Sequence, residues 1–207
     1  MNISIIGAGN VGQKLAQLIH DAGHEIFIGV NDLTKKPEST PYQYGSLEEA
    51  AEFGEIVLFT VPYTAYAEIL PKLADNLKGK IVIDITNPIN ADWSPLLLGE
   101  ENSAGETVTQ LLPKSYVVKA FNTVFADIMT KEGLNRDGQP VTAFVAGNDQ
   151  EANRVVSKLA SEIGFAPIIV GPIKCARYLE AMAHLNIQIA VGMGKGTNAA
   201  LVYHIAQ

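Results

Sequence analysis

Three glycines near the start of the chain have the spacing of a phosphate-binding turn. The segment ISIIGAGNVGQKL places Gly7, Gly9 and Gly12 between a short apolar run and an amphipathic run. In such a turn the first glycine allows the tight bend, the second lets a pyrophosphate approach, and the third lets helix and strand pack closely. Free N–H groups at the start of the helix, with its dipole, then hold the phosphates. The spacing predicts a dinucleotide-binding turn; the alternative is a glycine turn without a ligand.

The segment GVNDLTKKP follows the second apolar run, where a dinucleotide-binding protein holds the adenosine ribose. A count of about twenty residues from the last glycine reaches Asp32, an acid that would indicate NAD. The strand end itself, however, is Val30, which accepts no hydrogen bond from a ribose hydroxyl. Asn31 can donate to a phosphate, and Lys35 and Lys36 lie within a turn of it. We therefore favour NADP and expect Asp32 to point away or to cap the next turn; the alternative is that the lysines are solvated surface.

Three later apolar runs end in polar or proline-containing segments, at residues 60–63, 84–88 and 119–123. In open α/β sheets, ligands bind beyond the carboxyl ends of the strands. The polar groups there are mostly amides and hydroxyls, which suit the positioning of a carboxamide ring better than the movement of protons. Asn87 and Asn122 are the amides at two of these strand ends, although an asparagine beside a proline or at a strand end can also be a turn former.

A proton donor would be needed if the substrate were a ketone or an imine. The candidates are Lys119, Tyr63, His184 and Lys195. Lys119 precedes its strand end, so we expect it to face the opposite side of the sheet, and His184 lies on an apolar helix, where a core or interface histidine is more common. We therefore predict no catalytic acid or base, hydride transfer by ring positioning, and no metal site.

Apolar runs of strand length alternate with amphipathic segments of helix length along the chain, which predicts a Rossmann-type doubly wound, mainly parallel sheet. The predicted strands are Ile3–Ile6, Glu25–Val30, Ile56–Val61, Ile81–Ile85, Val117–Phe121, Val141–Ala146 and Ala166–Val170. The predicted helices are Val11–Ile19, Ser46–Phe53, Tyr63–Leu77, Glu106–Leu112, Gln150–Ile163 and a region from Cys175 onward. We divide the chain into a dinucleotide-binding domain, residues 1–124, and a small C-terminal α/β extension, residues 125–207, that completes the sheet and ends in a helix.

Length and composition limit the function classes. The 207 residues are 47% hydrophobic and 18% charged, with a formal net charge of −7, which suits a packed core and argues against binding of nucleic acid. With one cysteine, Cys175, and no charged leader before the first strand, we expect a cytoplasmic protein without an intrachain disulfide. The most apolar stretch, residues 185–203, is interrupted by Asn186, Gln188 and Lys195, so we predict no membrane span.

Four segments, IIGAGNVGQKLAQLIHDAGHEIFIG, VIDITNP, VVKAFNT and ARYLEAMAHL, make the chain resemble a known family over nearly its whole length. This is the family of NADPH-dependent oxidoreductases of the deazaflavin coenzyme F-420, which includes the reductase domain of the membrane metalloreductases. The resemblance implies NADP as cofactor and a small-molecule acceptor, a flavin or coenzyme F-420, that takes the hydride.

The resemblance also implies roles for individual positions. Gly9 to Gly12 would hold the pyrophosphate, and Asn31 and Lys35 would meet the 2′-phosphate. Val61 and Pro62 would line the cofactor, and Asn87, Pro88 and the stretch from Ala120 to Asn122 would flank the nicotinamide. Together with the residues argued above, the candidate cofactor-binding residues are Gly7, Gly9, Asn10, Val11, Gly12, Asn31, Lys35, Lys36, Val61, Pro62, Tyr63, Asn87, Pro88, Ala120, Phe121 and Asn122. Family members similar to the deazaflavin enzymes tend to have Ser-Arg where this chain has Val30-Asn31, and the missing guanidinium weakens the grip on a phosphate.

Several alternatives remain open at this point. The chain could be a non-catalytic NADP-binding sensor or partner subunit, or a hydroxy-acid or imino-acid dehydrogenase, although such dehydrogenases usually add a long helical domain and only about 60 residues follow Ala146. The last helix, with an apolar face that includes Leu185, is expected to cover the acceptor side or to form a homodimer contact. The loop around Trp93 is either a wall of the site or a surface excursion, and Gly192 to Gly196 either approach the second ring or only break the helix.

Overall fold

The computed structural model describes residues 1–37, 39–99 and 101–206. The strands in these ranges are β1 (Asn2–Ile6), β2 (Glu25–Gly29), β3 (Gln43–Gly45), β4 (Ile56–Phe59), β5 (Ile81–Asp84), β6 (Tyr116–Lys119), β7 (Asn135–Arg136), β8 (Gln139–Pro140), β9 (Thr142–Gly147) and β10 (Ala166–Gly171). The α-helices are α1 (Asn10–Asp21), α2 (Leu47–Phe53), α3 (Tyr66–Leu73), α4 (Ala104–Leu111), α5 (Gln150–Glu162) and α6 (Ala176–Ile187). Within these ranges, no helix has the length and apolar character needed to cross a membrane.

Eight strands form one sheet in the order β10-β9-β6-β5-β4-β1-β2-β3. The six strands β3, β2, β1, β4, β5 and β6, which are neighbours in this order, all run parallel to one another. Strand β9 runs antiparallel to β6, and β10 runs parallel to β9. Helices cover both faces, which explains why central strands such as β4 are buried along their whole length. The predicted Rossmann-type, mainly parallel sheet is confirmed, and the strand order reverses between β1 and β4, where such sheets bind ligands.

Local signals set where most helices begin. Ser46 and Glu49 form a reciprocal capping box at the start of α2, and the Asp149 side chain accepts from the Ala152 N–H at the start of α5. The helix predicted from Tyr63 begins instead with a 3₁₀ turn, Tyr63–Ala65, which follows Pro62 and leads into α3. The helices α1, α2 and α5 each start within four residues of a strand end, whereas α4 begins at Ala104, well after β5 ends at Asp84.

The C-terminal part joins the sheet through β9 and β10, and the predicted final helix is α6, followed by a π-helical turn, Gln188–Gly192. Gly194 and Gly196 have positive φ, 66° and 83°, and no regular helix or strand follows them in the described residues. This tail returns to the start of β9, where the Thr142 N–H donates to the Leu201 carbonyl at 3.1 Å. The division of the chain at residue 124 stays a prediction.

Candidate active site

A cavity of about 360 Å³ opens beyond the carboxyl ends of β1, β4, β5 and β6. It has a volume typical of small-molecule sites. The predicted site residues that line it are Asn10, Val11, Val61, Pro62, Tyr63, Asn87, Phe121 and Asn122. One wall comes from α6 through Ala183, Asn186 and Ile187, so the last helix covers this side of the sheet. Pro88 and Ala120 are buried beside the cavity and do not line it.

The glycine turn lies at one edge of this cavity, between β1 and α1. Gly7 has a φ of 109°, and a Cβ on Gly12 would lie 2.4 Å from the Gly7 carbonyl oxygen, so both positions require glycine. Gly9 differs, because a Cβ there would meet nothing within 4 Å. Gly9 is the N-terminal cap of α1 and provides no side-chain cap, which leaves the N–H groups of the first helical turn for another partner. The open space in front of these N–H groups fits an anionic diphosphate.

A second cavity, of about 270 Å³, lies beyond the carboxyl end of β2 and is lined in part by Val30, Asn31 and Ala65. The side chain of Asp32 accepts hydrogen bonds from the Thr34 N–H at 3.1 Å and from the Thr34 hydroxyl at 2.6 Å. This confirms that Asp32 caps the following turn. Asn31 and Lys36 are exposed here, whereas the side chain of Lys35 lies outside the described residues.

Asn87 and Asn122 join the ends of β5 and β6 through their side chains. The Asn87 amide donates to the Asn122 carbonyl at 2.7 Å, and the Asn122 amide donates to Asn87 Oδ1 at 2.9 Å and to the Leu179 carbonyl at 3.1 Å. Because a backbone carbonyl can only accept, the last bond determines which way the Asn122 amide faces. Its Oδ1 atom is buried and has no hydrogen-bond partner among the described residues. A buried acceptor without a partner suits a ligand N–H, such as that of a carboxamide.

Lys119 belongs to a buried ionic network and does not line the cavity. Its ammonium contacts Asp84 Oδ2 at 2.8 Å and Glu180 Oε1 at 2.9 Å, and it donates to the Thr86 carbonyl. The Glu180 carboxylate also accepts from two N–H groups at the start of α4. Burial alone lowers the pKa of Lys119, but the two carboxylates outweigh it and the net pKa is raised. Lys119 was expected to face the opposite side of the sheet; it is fully buried among these carboxylates and is not among the residues that line the cavity.

Tyr66 completes this network from α3. Its hydroxyl donates to Asp84 Oδ1 at 2.7 Å, and burial, followed by the charge of Asp84, raises its pKa well above the ordinary value. Sequence reasoning missed Asp84, Tyr66 and Glu180 as a group. One signal was present: Asp84 and Lys119 are opposite charges at the ends of two apolar runs, and they are direct partners in the β5–β6 register.

The remaining proton-donor candidates are separated from one another. His184 places Nε2 3.0 Å from the Pro88 carbonyl, to which it donates, so it ties α6 to the segment after β5. Lys195 is exposed in the tail. Tyr63 lines the cavity, with its hydroxyl 3.4 Å from that of Thr107. Among the described residues that line the cavity, Tyr63 carries the only titratable side chain.

Comparison with known proteins agrees with this geometry. The family described as NADP oxidoreductase, coenzyme F420-dependent, matches residues 2–88. The F420-dependent NADP reductase of Methanocaldococcus jannaschii is 34% identical over 158 residues, which cover 72% of this chain and 69% of that protein. The chain belongs to the F420-dependent NADP reductase family. The resemblance seen in the sequence is thereby confirmed.

Two further similar proteins differ in how much of their own length this chain covers. The chain is similar to Metalloreductase STEAP3 of Rattus norvegicus, with 30% identity over 87% of this chain, but it spans only 36% of that longer protein. The crystal structure of a proposed F420-dependent NADP-reductase from Arthrobacter sp. FB24 superposes with a TM-score of 0.88 at 28% identity, covering 99% of this chain and 100% of that one. The Arthrobacter protein therefore shares the fold of this chain over nearly its whole length.

Proposed function

We propose that the chain binds NADPH and that its cavity holds the nicotinamide next to a flavin or deazaflavin ring, to which hydride is transferred. The observation that carries the proposal is the chemistry of the cavity, where amides, hydroxyls and apolar groups meet and Tyr63 is the one titratable side chain among the described lining residues. Transfer of a hydride between two rings needs stacking and exclusion of water rather than a proton donor. A ketone or imine reductase would need such a donor.

The two cavities and the glycine turn suggest how the cofactor would lie. The N–H groups after Gly9 would bind the diphosphate, Asn31 with Lys35 and Lys36 would meet the 2′-phosphate, and the cavity beyond β2 would take the adenine. Asn122 Oδ1 would accept a hydrogen bond from the nicotinamide carboxamide, because it is buried and otherwise without a described partner. When bound, NADPH supplies the hydride, and the chain's residues orient the ring and keep water away.

Stopped-flow mixing tests the reaction. Protein loaded with NADPH is mixed with FMN, with coenzyme F-420 and with small 2-oxo acids, and absorbance at the nicotinamide band is followed. We expect oxidation of NADPH with at least one ring acceptor and none with the oxo acids. Oxidation by oxo or imino acids alone would support a dehydrogenase, and tight binding without turnover would support the sensor or partner subunit.

The choice of NADP over NAD rests on Asn31, which is exposed at the edge of the second cavity. In the Asn31→Asp variant a carboxylate would repel the 2′-phosphate, so we expect NADPH affinity to fall about tenfold, or about 1.4 kcal/mol, while NADH affinity is unchanged. Asn198→Asp, the same change on the exposed tail, is the matched control. Titration calorimetry with both nucleotides measures the effect; an equal loss for both would mean that Asn31 does not read the phosphate.

We further propose a homodimer in the cytoplasm. Large apolar side chains are exposed on α6, the tail and β10, with Leu185 at 61%, Met193 at 61%, Ile205 at 72% and Ile169 at 48%. A surface patch formed by such residues would be typical of a subunit interface. Light scattering measures the mass: a 22.2 kDa particle at micromolar concentration would contradict the dimer.

A further inference from the structure

A small hairpin after β5 carries the chain's only tryptophan to the cavity. Ile89 and Pro95 pair as an antiparallel bridge, and the Leu96 N–H donates to the Pro88 carbonyl at 2.9 Å, so the segment returns to the sheet edge where it left it. Trp93 lies at the tip of this hairpin, lines the cavity and is 51% exposed. The hairpin therefore places a half-exposed tryptophan in the lining of the cavity.

The backbone at this tip is held in an unfavourable conformation. In the described ranges, three non-glycine residues have a left-handed φ: Trp93 at 69°, Phe121 at 62° and Asp137 at 54°. Asp137 precedes Gly138 between β7 and β8, where a short polar residue adopts this conformation readily. Trp93 and Phe121 are bulky residues, for which it is an outlier, and both line the cavity. Strained residues of this kind cluster at functional sites.

Hydrogen bonds on both sides of Trp93 maintain the conformation. The Asn90 side chain donates to the Ser94 hydroxyl at 3.0 Å and to the Pro95 carbonyl at 3.1 Å. Asp92 Oδ1 accepts from the Ser94 N–H at 3.0 Å and from its hydroxyl at 2.6 Å, and the Trp93 N–H donates to the Asn90 carbonyl at 3.0 Å. These local bonds hold the tip of the hairpin, and Trp93 with it, in one conformation beside the cavity.

We propose that Trp93 determines acceptor specificity: its indole stacks on the planar conjugated ring of the second substrate and holds that ring against the nicotinamide. The inference rests on the proposed function and names the residue that would select its flat, multi-ring acceptors. An indole face offers a large apolar contact to any such ring through offset stacking, with little loss of side-chain freedom. It offers no comparable contact to an acyclic oxo acid or to a chelated metal ion.

Because Trp93 is the sole tryptophan, its fluorescence reports whether a conjugated ring binds near it, which stacking requires. Wild-type protein saturated with NADP⁺ is titrated with FMN and with coenzyme F-420, and tryptophan emission is recorded without turnover. We expect saturable quenching by at least one ring, and no quenching by pyruvate. Absence of saturable quenching by both rings would overturn the inference.

Kinetics of variants give the second measurement. In Trp93→Ala we expect the KM for the ring acceptor to rise about tenfold, the scale of losing one ring-stacking partner, while NADPH affinity stays within about twofold of wild type. Trp93→Phe should recover most of the loss, and Leu97→Ala, which removes an 88% exposed side chain from the same loop, should behave as wild type. An unchanged KM in Trp93→Ala, or an equal loss of NADPH affinity, would refute the role of Trp93.

The two proposals can fail separately. Saturable quenching without NADPH oxidation would be consistent with the stacking site and would contradict hydride transfer to that ring. Oxidation of NADPH by FMN or coenzyme F-420 with no quenching, and with normal kinetics in Trp93→Ala, would leave the reductase standing and reject the stacking site. Circular dichroism and a melting curve establish that each variant is folded.

Discussion

The substitution Gly9→Ala separates the binding of the diphosphate from the stability of the fold. The added methyl would meet nothing within 4 Å, and the backbone of Gly9, with φ −73° and ψ −176°, is one that alanine adopts freely. Alanine is a poorer N-terminal cap than glycine, which costs about 0.5–1 kcal/mol. Alanine also has less conformational freedom than glycine in the unfolded chain, and this offsets about 0.4–1 kcal/mol of the capping cost. The free energy of unfolding without ligand should therefore change little.

The effect on cofactor binding should be large, because the methyl would occupy the space in front of the first N–H groups of α1. At an NADPH concentration about 100 times its Kd, binding stabilises the wild-type protein by about 2.7 kcal/mol. For a domain of this size that raises Tm by about 5–11 °C. If the variant binds about tenfold more weakly, the stabilisation at the same concentration falls to about 1.4 kcal/mol, and the rise in Tm is roughly halved.

Gly12→Ala is the matched comparison. A Cβ there would lie 2.4 Å from the Gly7 carbonyl oxygen and 2.7 Å from Thr60 Oγ1, so helix and strand would have to separate. We expect a loss of about 1–3 kcal/mol of stability without any ligand. Melting curves of the two variants with and without NADPH measure both effects. If Gly9→Ala gains as much from NADPH as wild type does, the diphosphate does not bind at this turn and the assignment of the site is wrong.

Two further predictions concern the buried network. Lys119→Met should lower the free energy of unfolding in urea by about 3–5 kcal/mol, because it leaves two buried carboxylates without their cation; the control Lys72→Met removes a 60% exposed partner of Glu68 and should cost at most about 1 kcal/mol. Equal effects of the two substitutions would contradict the importance of burial. The raised pKa of Tyr66 implies that its hydroxyl stays protonated in the folded protein, whereas in the unfolded chain it ionises near pH 10. Its contribution to the free energy of unfolding is therefore complete below that pH. As the pH rises from there toward the folded pKa, the contribution is lost at about 1.4 kcal/mol per pH unit. Absorbance at 295 nm should show one of the seven tyrosines titrating only as the protein unfolds, and titration of all seven before unfolding would disprove it.

Much of the fold could be predicted from the sequence because its signals are local. Ile56–Val61 and Val141–Ala146 are almost wholly apolar, as strands covered on both faces tend to be, and the structure places strands at Ile56–Phe59 and Thr142–Gly147. The glycine turn was equally readable, since the demands on Gly7 and Gly12 come from the backbone within a few residues and from one neighbouring strand. The antiparallel direction of β9 was not readable, because a strand pairs in either direction with the same apolar pattern.

The candidate site was predictable only as a set of strand ends. The sequence indicated that Asn87 and Asn122 would lie at the same edge of the sheet, but not that each would donate to the other. The sequence left open whether the loop around Trp93 is a wall of the site or only a surface excursion. The position of Trp93 depends on a turn whose hydrogen bonds cannot be inferred from residue types alone.

Residue order by itself determined the alternation of strands and helices, the phosphate turn and the family, since each depends on neighbours along the chain. The tertiary structure decided which distant groups neutralise one another. Lys119 and Asp84 are 35 residues apart in the sequence, and Glu180 is 76 residues from Ala104, whose N–H donates to its carboxylate. All four residues nevertheless belong to one buried cluster. Desolvated charges are tolerated only when their partners are within a few ångströms, and that condition is met by packing of the sheet against α3, α4 and α6, which no single segment specifies.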